Sequence, residues 1–146
     1  MGGGSMALAN WRKKLWEAIS DKAQKAQLEN RYTTAEIIYD LAIAVAAHSY
    51  IEPCDMAQLQ MLRGELFLLK QDYYKAEESF RSAVLLYDQN GSICTEVDMA
   101  IALNDMSVAF RAQGKCRLAS QLSTLAQKYI ANTRRKLEDC FKIPAA

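Results

Sequence analysis

The chain is expected to be all-α, with six helices arranged as three hairpins, and three observations carry that expectation. Apolar residues recur at three-to-four spacing, as in Leu8, Trp11, Leu15, Ile19, Ala23 and Ala26, and again in Met56, Leu59, Leu62, Leu66 and Leu69. No alternating stretch enriched in β-branched residues competes with that period. The sequence also aligns with itself at shifts of 41 and then 43 residues, so that a two-helix unit is written three times.

The elements follow from the chemistry of their boundaries. A first helix over 7–29 is interrupted by Asn30 to Thr34, after which Thr33-Thr34-Ala35-Glu36 offers a capping box to open a second helix over 34–50. Glu52-Pro53-Cys54-Asp55 breaks the chain before a third helix over 55–70. Gln71-Asp72 makes a short turn with Asp72 as N-cap for a fourth helix over 73–89. Asn90-Gly91-Ser92 is a turn leading to a fifth helix over 94–112, and Gln113-Gly114-Lys115 sets a glycine just past its end. A sixth helix runs over 116–141. Both prolines, Pro53 and Pro144, lie outside the strongly periodic segments, so helices can run long.

Composition bounds what the chain can be. Its 146 residues, 51% hydrophobic and 24% charged, suit one domain with its own core. Lys plus Arg number 18 against 17 Asp plus Glu, and this near balance argues against a dedicated nucleic-acid or anionic-membrane surface. The opening Met1-Gly2-Gly3-Gly4-Ser5 reads as an appended flexible linker, leaving 6–146 as the domain. No run is long and apolar enough for a membrane span: the most apolar stretch, Ile37 to Ala47, is broken by Asp40. The four cysteines show no close pairing and no secretory signal precedes them, which points to reduced thiols and a cytoplasmic location.

The self-alignment has a packing logic. Tyr32, Ala35, Tyr39 and Ala42 fall on Tyr73, Ala76, Phe80 and Ala83, and these on Cys116, Ala119, Ser123 and Ala126. In the preceding helices Ala23 and Ala26 fall on Gly64 and Phe67, then on Ser107 and Phe110. Small residues let two backbones approach, and aromatics fill the space between hairpins.

This pattern resembles the tetratricopeptide repeat, best over residues 56–87, where Gly64, Phe67, Tyr73, Ala76, Phe80 and Ala83 stand at the family's signature positions. The long period resembles the kinesin light chain variant, as does the run Ala102 to Lys115. The chain departs from the pattern in four ways. No Trp stands early in the third or fifth helix, no Pro closes a repeat, the first repeat lacks the turn glycine, and Ser123 replaces an aromatic. The resemblance implies a right-handed superhelical solenoid of three antiparallel hairpins over about 10–50, 54–90 and 94–131. The polar extension 132–146 then acts as a cap on an extended last helix. Phe141 and Ile143 either fold back on the last hairpin or mark a junction with more chain or another subunit.

The resemblance further implies a concave groove lined by the first helix of each repeat, in which a partner's peptide or helix lies. By register the lining is Ser20, Gln24 and Gln27, then Met61, Glu65 and Leu68, then Asn104, Asp105, Val108 and Arg111. Asn104 matches the family's asparagine that bonds a peptide backbone, or is a solvated groove residue. Met61 and Leu68 form an adaptable apolar floor, or ordinary contacts with the next hairpin. Where chaperone-binding relatives grip a C-terminal carboxylate, this chain has Ser20, Gln24, Leu62, Ile101 and Asp105, so acidic chaperone tails are not expected to bind.

Other chemistries are weaker. His48, Cys54, Cys94 and Cys140 share a loop edge, but hairpins ~8–10 Å apart do not bring them onto one ion, so no metal or other cofactor is expected. One histidine, no phosphate-cradling loop and no nucleophile motif leave no catalytic constellation, and Glu77-Glu78 and Glu138-Asp139 read as solvated pairs. Arg12-Lys13-Lys14 and Arg134-Arg135-Lys136, near Trp11, Trp16 and Tyr129, offer an RNA-binding alternative that nearby carboxylates weaken. The sequence therefore points to a non-catalytic protein-interaction module, adaptor or scaffold, with a client-holding chaperone or assembly factor as the alternative.

Overall fold

A computed structural model describes residues 3–49, 51–89 and 93–141, with the side chains of 3, 5, 9 and 93–95 outside that description. The described residues form six helices and no strand: α1 (Gly3–Leu28), α2 (Tyr32–Ala47), α3 (Pro53–Leu69), α4 (Tyr73–Asp88), α5 (Ile93–Ala112) and α6 (Cys116–Phe141). No helix among them is long and apolar enough to cross a membrane. The turn expected at Asn90-Gly91-Ser92 and the terminal Ile143 lie outside the described residues. So does the side chain of Cys94.

The three hairpin turns have one geometry. In each, a residue with positive φ follows the first helix: Asn30 at 60°, Gln71 at 60° and Gly114 at 78°. Two backbone bonds close each turn in the Schellman pattern. Arg31 N–H donates to Ala26 O and Asn30 N–H to Gln27 O. The pairs Asp72 to Phe67 with Gln71 to Leu68, and Lys115 to Phe110 with Gly114 to Arg111, repeat it. The positions differ by the same 41 and 43 residues that align the sequence, so the helical repeat is present in the backbone as well as in the side chains. The glycine missing from the first repeat is replaced by Asn30, a residue type that tolerates the left-handed region because its side chain bonds locally.

This turn overrides the expected capping box. The second helix begins at Tyr32, two residues before the predicted start, with Arg31 at the N-cap and no side-chain cap bond. Because the Schellman turn hands the chain directly to α2, Ala35 N–H already bonds Arg31 O and leaves the threonines nothing to cap. Glu36 instead pairs with Lys70 and Lys75 of the next repeat. Asp72 does cap α4, accepting from Lys75 N–H at 3.3 Å. The first helix also starts earlier than expected, at Gly3, since no helix-stopping residue separates the glycines from the periodic segment.

Packing runs along the chain. Each helix lies against its sequence neighbours, and α3 also touches α5. Within each hairpin the same pair of positions meets. A Cβ added to Gly64 would stand 2.5 Å from Phe80 Cε1, so the ring lies directly on the α3 backbone. Ala23 and Tyr39, both fully buried, fill the equivalent positions in the first hairpin. In the third, Ser123 Oγ donates to Ser107 Oγ at 3.1 Å, a polar contact where the others use an aromatic ring.

Carboxylates on the second helices tie one repeat to the next. Glu36 holds Lys70 and Lys75, and its equivalent Glu77 accepts from Gln113 Nε2 at 2.8 Å and from Lys115 Nζ at 3.1 Å. Lys70 and Gln113 are themselves equivalent by the 43-residue shift. Hydrogen bonding to Lys70 is the main reason the Glu36 carboxyl sits below its usual range.

Candidate functional site

The face offered by α1, α3 and α5 follows from how each first helix is covered. Ser20, Met61 and Asn104 occupy one repeat position, yet Ser20 is 4% exposed and Met61 7%, while Asn104 is exposed. The reason is stacking. Ser20 lines a cleft with Gln58, Leu59 and Leu62 of α3, and Met61 belongs to the core cluster that includes Ala102, Leu103 and Met106 of α5. No later first helix follows α5, so Asn104 stays open. Ser20 and Met61 therefore belong to the seams between repeats, and of the two readings given for Met61 its packing is that of contact with the next hairpin. Leu68 is half-buried and packs on the same core cluster.

The remaining positions behave differently. Gln24, Glu65 and Val108, again equivalent by register, are exposed in all three repeats. Of the neighbouring row, Gln27 is half-buried and its Oε1 accepts from Tyr39 Oη at 3.3 Å, and Arg111 is exposed. Asp105 is half-buried. Ile101 at 50% and Val108 at 45% exposure lie seven residues apart on α5, with Asn104 between them, and form an apolar stripe interrupted by one amide. Glu17, Asp21 and Asp55, together with Ser20 and Gln24, line the cleft of about 190 Å³ between α1 and α3. Glu17, Asp21, Asp55 and Gln58 were not among the sequence candidates, although the shifts that align Gln24 with Glu65 and Val108 also align Glu17 with Gln58 and Ile101.

Carboxylates outnumber cations on this face, where Lys13 and Arg111 stand among them. Glu65 and Asp105 sit above their usual carboxylate range, mainly because neighbouring protein atoms partly desolvate the carboxyl, even on the solvent-exposed Glu65, and the Asp105 charge raises Glu65 further. Burial, with Glu65 as a second cause, pushes the Tyr39 hydroxyl up to about 12. Neither Glu65 nor Asp105 has an ion-pair partner among the described residues. Lys13 approaches Glu17 at 4.0 Å and Asp55 at 3.9 Å, so one cation serves two carboxylates.

The basic clusters are partly engaged. Lys136 pairs with Glu96, and Arg134 with Glu138. Among the described residues no three His, Cys, Asp or Glu side chains come together in a metal-holding group. Among the described residues no disulfide involves Cys116 or Cys140.

No protein-family model and no curated protein matches the chain. Among solved structures it is similar to the crystal structure of BtubC (BKLC) from P. vanneervenii, at 14% identity and a TM-score of 0.47. That similarity covers 84% of this chain and 66% of BtubC, so the chain spans just under two thirds of that protein's length.

Proposed function

We propose that the chain is a three-repeat solenoid of tetratricopeptide type that binds a peptide or helix of a protein partner along the face of α1, α3 and α5, as an adaptor or scaffold without catalysis. The repeats correspond to about 10–50, 54–90 and 94–131, wound right-handed, and the polar extension 132–146 serves as a cap, its described part continuing the last helix to Phe141. The observation that carries the reading is the row Gln24, Glu65 and Val108, which is exposed in every repeat while Ser20 and Met61 beside it are buried in the first two. The apolar stripe of Ile101 and Val108 adds surface that a partner side chain can cover.

A peptide array tests this. Probed with wild type, with Val108→Arg and with Leu125→Arg, whose parent leucine is exposed on α6, the array should show a bound subset lost only with Val108→Arg. Circular dichroism controls for folding. Loss with Leu125→Arg alone would move the site elsewhere. Binding of one motif in a defined register supports an adaptor, whereas equal binding of scrambled apolar peptides supports a client-holding chaperone.

A further inference from the structure

Elsewhere on the molecule several carboxylates bridge neighbouring elements through cations, while Glu52, Glu78, Asp88, Asp98 and Asp139 have no ion-pair partner among the described residues. Glu36, Asp40, Glu77 and Glu96 each meet a lysine or arginine, and each of these contacts ties one helix to another. On the first-helix face the carboxylates Glu17, Asp21, Asp55, Glu65 and Asp105 outnumber the cations Lys13 and Arg111. Asp21, Glu65 and Asp105 have no cation partner among the described residues, and Glu17 and Asp55 share Lys13 at long range. The surroundings of Glu65 and Asp105 oppose their ionisation, and no cation of the described residues pairs with either, so this part of the face carries negative charge that the chain leaves without an ion pair.

A second feature of the same cleft is independent of charge. Ser20 lines it and is 4% exposed. Trp16, also 4% exposed, lines it too, and its Nε1 is buried without an acceptor. Buried polar groups are ordinarily paired, so the indole N–H, a donor, calls for an acceptor such as a backbone carbonyl of an incoming segment.

We infer that the face takes a lysine- or arginine-bearing segment of a protein partner, whose cations meet Asp21, Glu65 and Asp105 and whose apolar side chains rest on Ile101 and Val108. The inference depends on the proposed function for where the partner lies, and adds the partner's chemistry. Charge complementarity selects the occupant: an acidic segment would add to the uncompensated charge, and a purely apolar one would bury carboxylates without a partner. Nucleic acid is disfavoured on this face for the same reason.

The test uses two fluorescein-labelled peptides, one rich in lysine and leucine and the other identical but with glutamate for every lysine. Fluorescence anisotropy should show the lysine peptide binding at least about tenfold more tightly, with the preference shrinking between about 50 and about 300 mM salt. The triple variant Asp21→Asn, Glu65→Gln, Asp105→Asn should lose about tenfold in affinity for it. The control Glu78→Gln, Asp88→Asn, Asp139→Asn changes net charge equally, at exposed carboxylates without ion pairs on α4 and α6, and should change affinity by less than about twofold.

Equal weakening by both triples, tighter binding of the glutamate peptide, or no binding of the lysine peptide overturns the inference. If both peptides bind alike and Val108→Arg abolishes both, the charge inference fails and the docking face stands. If both bind and neither Val108→Arg nor the first triple matters, the docking face fails as well.

Discussion

Replacing Gly64 by alanine sets two opposing effects against each other at one contact. Alanine in a helix interior is favoured over glycine by about 1 kcal/mol. The added methyl would stand 2.5 Å from Phe80 Cε1 and 2.8 Å from Cδ1 and Cζ, and the ring is fully buried with no room to swing. Overpacking a closed core costs about 1–3 kcal/mol, so Gly64→Ala is expected to destabilise by up to about 2 kcal/mol, or ~8 °C in melting temperature at ~4 °C per kcal/mol for a chain of this length. Ala23 stands at the equivalent site against Tyr39, so Ala23→Gly should also destabilise, there through lost helix propensity and a small void. The assay is thermal and urea unfolding of Gly64→Ala, Phe80→Leu and the double variant, because leucine shortens the clashing side chain. The two changes should couple favourably by at least about 0.5 kcal/mol. A rise in melting temperature for Gly64→Ala, with no coupling to Phe80→Leu, would refute the close-contact argument.

Three further outcomes are expected. Gln71→Gly should stabilise by about 0.5–1 kcal/mol, because glutamine holds a positive φ of 60° that glycine adopts without strain, whereas Gly114→Ala should destabilise by about 1 kcal/mol; urea midpoints decide both. Glu36→Gln should cost up to about 1 kcal/mol at neutral pH. Because the folded-state pKa of Glu36 is lowered, that stability is present above the ordinary glutamate value and is lost as pH falls through the folded value, so melts of wild type and variant should converge in acid. For Glu65 the sign is opposite: its folded-state pKa is raised, so its contribution worsens as pH climbs from the ordinary value through the folded one. Glu65→Gln should therefore raise the melting temperature at neutral pH while weakening the lysine-peptide complex.

The helices, their order and the threefold unit were legible in the residues because each depends on local chemistry. Apolar spacing sets helical faces, Asp72 and Gly114 mark ends, and the 41- and 43-residue shifts that align Ala23, Gly64 and Ser107 also align the three turns. Local reading went astray where two local solutions compete. Thr33 to Glu36 satisfies a capping-box pattern, but a Schellman turn through Asn30 starts α2 earlier and frees Glu36 to bridge repeats.

Which groove residues remain reachable was decided by stacking alone. Ser20, Met61 and Asn104 are interchangeable by register, and only the presence or absence of a following first helix separates a seam residue from an exposed one. The same holds for charge. Nothing local distinguishes Glu36 from Glu65, yet one faces lysines from the next repeat and the other faces Asp105, because ion pairing depends on what the fold brings within a few ångströms, and distances across helices are not written in any single segment.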